Sequence, residues 1–188
     1  MSRIIAGAAG GLRLASVPGD ATRPTTDRVK ESIFSKLDAW GMLRDARVLD
    51  LYAGSGALGC EAASRGAARV ELVDNAPKAC AAATANAQLV NRVLGTGTVT
   101  VRRKNVTTYM TRHTGPWDVV LADPPYPLSE LEVMEFLACL PGQLGKGAVI
   151  VLERSARSPE PVWPTGIRLL ESSRHGETMV WYAEEDLS

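Results

Sequence analysis

The clearest pattern along the chain is a series of short apolar runs separated by longer amphipathic stretches. VLDLY (48–52), VELVD (70–74), VTVRR (99–103), DVVLA (118–122) and AVIVLE (148–153) read as strands. Several are apolar at consecutive positions, as expected of a parallel sheet covered on both faces. Between them, 57–66, the Ala-rich 76–92 and 129–140 read as helices. Upstream, Val29, Ile33, Leu37 and Trp40 recur at helical spacing, and Thr26 or Asp27 can cap that helix. Strands alternating with helices predict a doubly wound, Rossmann-like α/β fold with a mostly parallel sheet. The end departs from this pattern. IRLLES (167–172) and TMVWYA (178–183) flank a tight connection containing Gly176, and strands so close pair antiparallel. At the start, Ile4-Ile5 and Leu12 to Leu14 flank Gly10-Gly11, which predicts a short β-hairpin. The expected organisation is one domain over 1–188: a basic hairpin extension at 1–24, outside the core, and an α/β core at 25–188.

Composition narrows the classes. The chain has 188 residues, 45% of them hydrophobic, enough for one buried core. Its 21 Lys+Arg balance 21 Asp+Glu, which excludes a uniformly basic nucleic-acid wrapper but leaves room for a local basic face. No apolar run approaches the ~18 residues of a membrane span, and the start lacks the apolar stretch of a secretory signal. Cys60, Cys80 and Cys139 form no C-x-x-C pair, so neither a disulfide framework nor a metal site is predicted. A reduced, cytoplasmic protein is expected, with no membrane contact.

The first strand runs into Ala53-Gly54-Ser55-Gly56-Ala57-Leu58-Gly59, and Asp74 ends the next strand, 20 positions after Gly54. Taken alone this fits the dinucleotide fingerprint, with an acid placed for ribose hydroxyls. Asp50, inside the first strand, changes the reading. A carboxylate there repels a pyrophosphate and attracts a cation. S-adenosylmethionine carries a sulfonium, an ammonium and a ribose, so it suits the two acids better. The pattern D-x-x-x-G-x-G resembles the first motif of class I methyltransferases. Candidate cofactor contacts are Asp50, Tyr52, Gly54, Gly56, Asp74, Asn75, Asn105 and Val106. Asn105 follows the third strand, where it either bonds an adenine edge, with Val106 against the ring face, or simply caps a helix.

The fourth strand ends in Asp123-Pro124-Pro125-Tyr126. In an open α/β sheet this end faces the ligand crevice beside the glycine loop. D-P-P-Y resembles the signature of methyltransferases that act on amino groups attached to planar π systems. Such an amine shares its lone pair with the ring and is a poor nucleophile. The Asp123 carboxylate and the Pro124 carbonyl can accept its two N–H bonds, which favours a pyramidal nitrogen with its lone pair free. Pro124 and Pro125 fix φ and lack N–H donors. Tyr126 offers a stacking face, worth roughly 1–3 kcal/mol per base. Catalytic candidates are therefore Asp123, Pro124, Pro125 and Tyr126.

Five segments together are similar to one family, the bacterial enzymes that methylate N2 of a guanine in 16S ribosomal RNA. They are RIIAGAAGGLRL (3–14), RPTTDRVKESIF (23–34), LDLYAGSGALGCEAASRGA (49–67), DVVLADPPY (118–126) and GETMVWY (176–182). The resemblance implies cofactor contacts at Asp50, Gly54, Gly56, Asp74 and Asn105, catalysis at Asp123 to Tyr126, and 16S rRNA within the assembling small ribosomal subunit as partner. Members often carry Phe at the motif's last position; Tyr126 keeps the ring. The residues agree less sharply. Arg3, Arg13, Arg23, Arg28 and Lys30 face only Asp20 and Asp27 in the first 30 residues, and Arg102-Arg103-Lys104 form a second basic run. Phosphate contacts are expected at Arg3, Arg13, Arg23 and Arg28.

Other readings stay open on the residues alone. An adenine-N6 methyltransferase uses the same D-P-P-Y, and a glutamine-side-chain methyltransferase uses a similar motif, commonly with Asn in place of Asp123. A nicotinamide oxidoreductase shares the glycine pattern. A non-enzymatic RNA-binding assembly protein with a vestigial pocket is the remaining class.

Overall fold

The computed structural model describes residues 2–19, 26–112 and 114–186. Seven strands form one sheet: β3 (Arg47–Leu51), β4 (Arg69–Asp74), β5 (Val99–Arg103), β6 (Trp117–Ala122), β7 (Leu144–Ser155), β8 (Ile167–His175) and β9 (Thr178–Glu185), in the order β5-β4-β3-β6-β7-β9-β8. β5 through β7 run parallel, and β9 and β8 pair antiparallel at the far edge. The expected doubly wound sheet with an antiparallel end is thus the architecture found. β3 and β6 are neighbours, and each is followed by one of the two motifs.

Both faces of the sheet are covered. Val48 and Val70 face the helices α1 (Asp27–Ala39), α2 (Ala57–Ser64) and α3 (Pro77–Leu94). Leu49 and Val73 face α4 (Val106–Met110) and α5 (Glu130–Ala138). This two-sided burial is why the central strands are apolar at consecutive positions. Helix ends follow local chemistry. Thr26 caps α1 by accepting from Val29 N, and Ser129 with Glu132 forms a reciprocal box at the start of α5. α4, at five residues, is too short to show a period, and the sequence offered it only as the helix that Asn105 could cap. β7 begins four residues earlier than the expected Ala148, because Leu144 pairs with Trp117 across an irregularity in the ladder.

The N-terminal segment corrects one expectation. β1 (Ser2–Arg3) and β2 (Arg13–Leu14) do form a hairpin, but it is not an appendage outside the core. Ile4 and Leu14 are buried in the same cluster as Ile33 and Phe34. Glu61 of α2, itself buried, accepts from Ile5 N at 2.8 Å and Ala6 N at 3.1 Å. Lys30 is buried too. Its Nζ donates to Ser2 Oγ at 3.1 Å and to the Arg3 carbonyl, and lies 3.8 Å from Glu61. Burial lowers its pKa, with Glu61 and Asp27 opposing the shift. Lys30 therefore fastens the hairpin and does not offer a surface charge to a polyanion.

Candidate active site

β3 carries the first half of the site. Asp50 lies on its α2 side, 1% exposed, and one carboxylate oxygen accepts from Gly59 N at 2.8 Å. The other oxygen, Oδ1, has no hydrogen-bond partner among the described residues. Burial pushes the Asp50 carboxyl up to about 8, and the nearby charges of Asp123 and Asp74 push the same way, against the Gly59 N–H. Three acids thus converge where β3, β4 and β6 end. A cation is the ligand that relieves this arrangement.

Tyr52 follows β3 at φ 57, a conformation rare for an aromatic residue and typical of strained functional loops. Its half-buried ring meets Phe136 edge-on at 5.6 Å. Gly56 follows at φ 78, where a Cβ would also come within 2.5 Å of Leu72 Cδ1. Gly59, in the first turn of α2, packs the helix onto the sheet; a Cβ there would meet Leu72 Cδ2 at 2.2 Å. Gly54 has nothing within 4 Å on its Cβ side, so a ligand can approach the backbone closely. Asp74 closes the loop: Oδ2 accepts from Gly54 N and Oδ1 from Ala76 N, both at 2.9 Å. Each oxygen keeps lone-pair capacity for a hydroxyl.

These residues fit the cofactor expected from the sequence. The orphan Oδ1 of Asp50, the acid cluster, the open face of Gly54 and the half-used Asp74 carboxylate suit a cation-bearing nucleoside. Other candidates fall differently. Asn75 is exposed beside Asp74. Asn105 caps α4, accepting from Thr108 N at 3.1 Å, and Val106 is buried among Leu49, Val73 and Tyr109. The helix-cap alternative for Asn105 is the arrangement present, and Val106 packs in the core instead of standing open for a ring.

β6 carries the second half. Pro124 is buried, while Pro125 and Tyr126 stand out, Tyr126 at 54% exposure. Leu128 N donates back to the Pro125 carbonyl at 2.9 Å. Arg154 of β7, itself buried, holds the Leu128 carbonyl at 3.1 Å and Glu130 at 2.5 Å. The motif is thereby locked between β6 and α5. Beside it opens a cleft of about 520 Å³. Its walls bring Thr26 and Arg28 from the start of α1 together with Asp123 and Tyr126, Glu153 and Arg154 from β7, and Arg174 and His175 from the end of β8 at the β8–β9 turn.

The sequence reading missed the β7 and β8–β9 contributions, although GETMVWY begins at that turn. Arg28 is exposed and lines the cleft. Arg13 is exposed, and Arg3 is exposed with its Nε 3.5 Å from Asp27. Arg23 lies outside the described residues. Among the described residues no cluster of His, Cys, Asp and Glu is placed to hold a metal ion, and no helix is long and apolar enough to cross a membrane.

The strand order, the glycine loop after the central strand and the acid ending the next one define a Rossmann-like α/β protein of the methyltransferase type. A family model described as conserved hypothetical protein 95 matches residues 2–184. Ribosomal RNA small subunit methyltransferase D of Escherichia coli (strain K12) is 34% identical over 164 residues, covering 86% of this chain and 79% of that one. The protein of the same name from Haemophilus influenzae is 31% identical, covering 84% and 80%. The solved structure of a putative methyltransferase, yhhF, from Escherichia coli superposes with a TM-score of 0.83 at 30% identity, covering 100% of this chain and 99% of the other. The chain belongs to this ribosomal RNA small subunit methyltransferase D family, and the resemblance carried by the five segments is borne out.

Proposed function

We propose that this protein is an S-adenosylmethionine-dependent methyltransferase acting on the N2 amine of a guanine in 16S ribosomal RNA, within the assembling small subunit. The observation that carries the reading is the adjacency of β3 and β6, which sets the acid-lined glycine loop after one strand next to the end of the other, where Asp123, Pro124 and Tyr126 line the cleft. When bound, S-adenosylmethionine supplies a methyl group on a positively charged sulfur. Asp50, Tyr52, Gly54, Gly56, Asp74 and Asn75 are the residues proposed to hold it.

The chain's own groups do the rest. The exposed Tyr126 ring stacks on a base taken out of its helix. Asp123 and the Pro124 carbonyl accept from the exocyclic amine and orient its lone pair toward the cofactor side. Guanine presents N1–H next to that amine, so an ionised Asp123 has two donors to bind, whereas adenine N1 is an acceptor. This favours guanine modestly; the family favours it more. Arg28 and Arg174 on the cleft wall contact phosphates flanking the target. Arg3 and Arg13 extend that surface.

The test is transfer of labelled methyl from S-adenosylmethionine to ribosomal RNA, free and in small-subunit particles, followed by nucleoside analysis. N2-methylguanosine is expected, with particles the better substrate. N6-methyladenosine as the product would replace guanine by adenine, and equal rates on free RNA would remove the particle from the proposal.

A further inference from the structure

Asn86 sits in the middle of α3, where asparagine is a poor helix former and a buried amide needs a reason. It is 0% exposed. Its Oδ1 accepts from Ala15 N at 2.8 Å. Its Nδ2 donates to the Ala15 carbonyl at 3.0 Å and to the Ser55 carbonyl at 2.8 Å. One side chain thus joins the segment that leaves the N-terminal hairpin to the residue between Gly54 and Gly56. A second tie runs parallel to it. Ser64 of α2, the helix that starts at this loop, accepts from Ala9 N at 2.9 Å and donates to the Ala6 carbonyl at 2.6 Å.

We infer that Asn86 is a positioning residue for the cofactor loop, and that it makes the N-terminal segment part of the cofactor site: order around Ala15 and occupancy of the glycine loop rise and fall together. The physical reason is that Ser55 has glycines on both sides. Those glycines have little intrinsic backbone preference, and an external hydrogen bond to the Ser55 carbonyl selects one loop shape. Asn86 is oriented for that bond by the two it makes to Ala15. Loss of Ala15 leaves the amide free to turn. Coupling of this kind is reciprocal, so a ligand that fixes the loop must also fix Ala15. The inference rests on the cofactor assignment above.

Two full-length variants and one measurement on the parent test it. Asn86→Ala removes the bridge. Ala15→Pro removes the Ala15 N–H at an exposed position and leaves the Ala15 carbonyl to hold Asn86, so the bond to Ser55 is loosened and not lost. Calorimetric titration with S-adenosylmethionine should show the dissociation constant rising about three- to tenfold in Asn86→Ala, in the range of one buried hydrogen bond. The rise should be smaller in Ala15→Pro. The double variant should be no worse than Asn86→Ala alone, since both cut one path. In the parent, S-adenosylmethionine should slow hydrogen exchange at the Ala15 amide. Parent-like affinity in Ala15→Pro, or Ala15 exchange indifferent to the ligand, overturns the inference even if Asn86→Ala fails to fold. Parent-like affinity in a folded but less stable Asn86→Ala does the same, leaving Asn86 as packing only. Failure of the parent to bind S-adenosylmethionine at all would remove the cofactor assignment itself, a distinct result.

Discussion

The two halves of the site are made in different ways. The half proposed to hold the cofactor is built mainly from one continuous stretch, 47–76, braced from α3 by Asn86, and mostly from backbone: Gly54 N held by Asp74, Gly59 N held by Asp50, and glycines that let strand, loop and helix approach closely. The cleft half is built from side chains on four separated segments, around 26–29, 123–126, 153–158 and 174–178. The first half is a local fold property and the second a tertiary one. Damage to one should therefore be readable without damage to the other, and that separation is what the following experiments break or sharpen.

The largest effect is expected at Asp123. Asp123→Ala removes the proposed anionic acceptor for the target amine and leaves the glycine loop's hydrogen bonds to Asp50 and Asp74 in place. Single-turnover methyl transfer on the true RNA substrate should fall by about two to three orders of magnitude, the usual loss for one preorganised electrostatic contact. Calorimetry with S-adenosylmethionine should show a change of less than about threefold. A near-parental rate would mean that Asp123 is not the amine acceptor.

The converse change is Gly59→Ala. The new methyl group would lie 2.2 Å from Leu72 Cδ2 and 3.1 Å from Asp50 Oδ2, so Leu72 must repack or α2 must lift from the sheet. Overpacking of this kind costs about 1–3 kcal/mol, partly offset by the better helix propensity of alanine. Urea unfolding should report that loss, and cofactor affinity should fall with it, while RNA affinity of the ligand-free protein stays near parental. If cofactor affinity is untouched, α2 does not transmit strain to the loop.

The same contrast explains what could be read in the sequence. The strand–glycine–helix–strand–acid unit is legible because every part lies within one short window and its spacing is set by backbone geometry. The C-terminal hairpin is legible because only Gly176 and Glu177 separate two alternating strands. The cleft is not, since nothing local in Glu153, Arg154 or Arg174 says that β7 and the β8–β9 turn will face Arg28. The anchored N-terminus was misjudged for a related reason. Glu61, Ser64 and Asn86 look like solvent-facing helix positions, and they are buried only because the backbone of residues 5–15 needs their hydrogen bonds.

Asp50 offers a pH-dependent version of the comparison. In the folded chain it keeps its proton up to about pH 8, whereas in the unfolded chain a carboxyl loses it near pH 4, at about 3.9. Between those values the folded state binds more protons. Its contribution is fully present below about pH 4 and is lost as pH rises toward 8, with a slope of at most about 1.4 kcal/mol per pH unit. Asp50→Asn has no such proton, so its stability relative to the parent should improve steadily from pH 5 to pH 8. Thermal unfolding at several pH values measures this. Parallel profiles would show that Asp50 is already ionised in the folded protein and that the acid cluster needs no cation to relieve it.

The smallest effect is expected on the cleft wall. Arg174 is exposed at the β8–β9 turn, its Nε donates to the Gly176 carbonyl at 3.1 Å, and it faces Arg28 across the cleft. A single exposed phosphate contact carries little energy, so Arg174→Ala should weaken RNA binding only about two- to fivefold near physiological salt. Its signature is the salt dependence. Neutralising one fewer phosphate should reduce the slope of log affinity against log salt concentration by about 0.7 to 0.9. Arg28→Ala should do the same, and the two together should lower the slope by about twice as much, because separate counterions are released. Methyl transfer at saturating RNA should stay close to parental, and so should cofactor affinity. Filter binding across a salt series on both single variants and the double decides it. An unchanged slope in Arg174→Ala would take the β8–β9 turn out of the RNA surface and leave the cleft with its α1 wall alone.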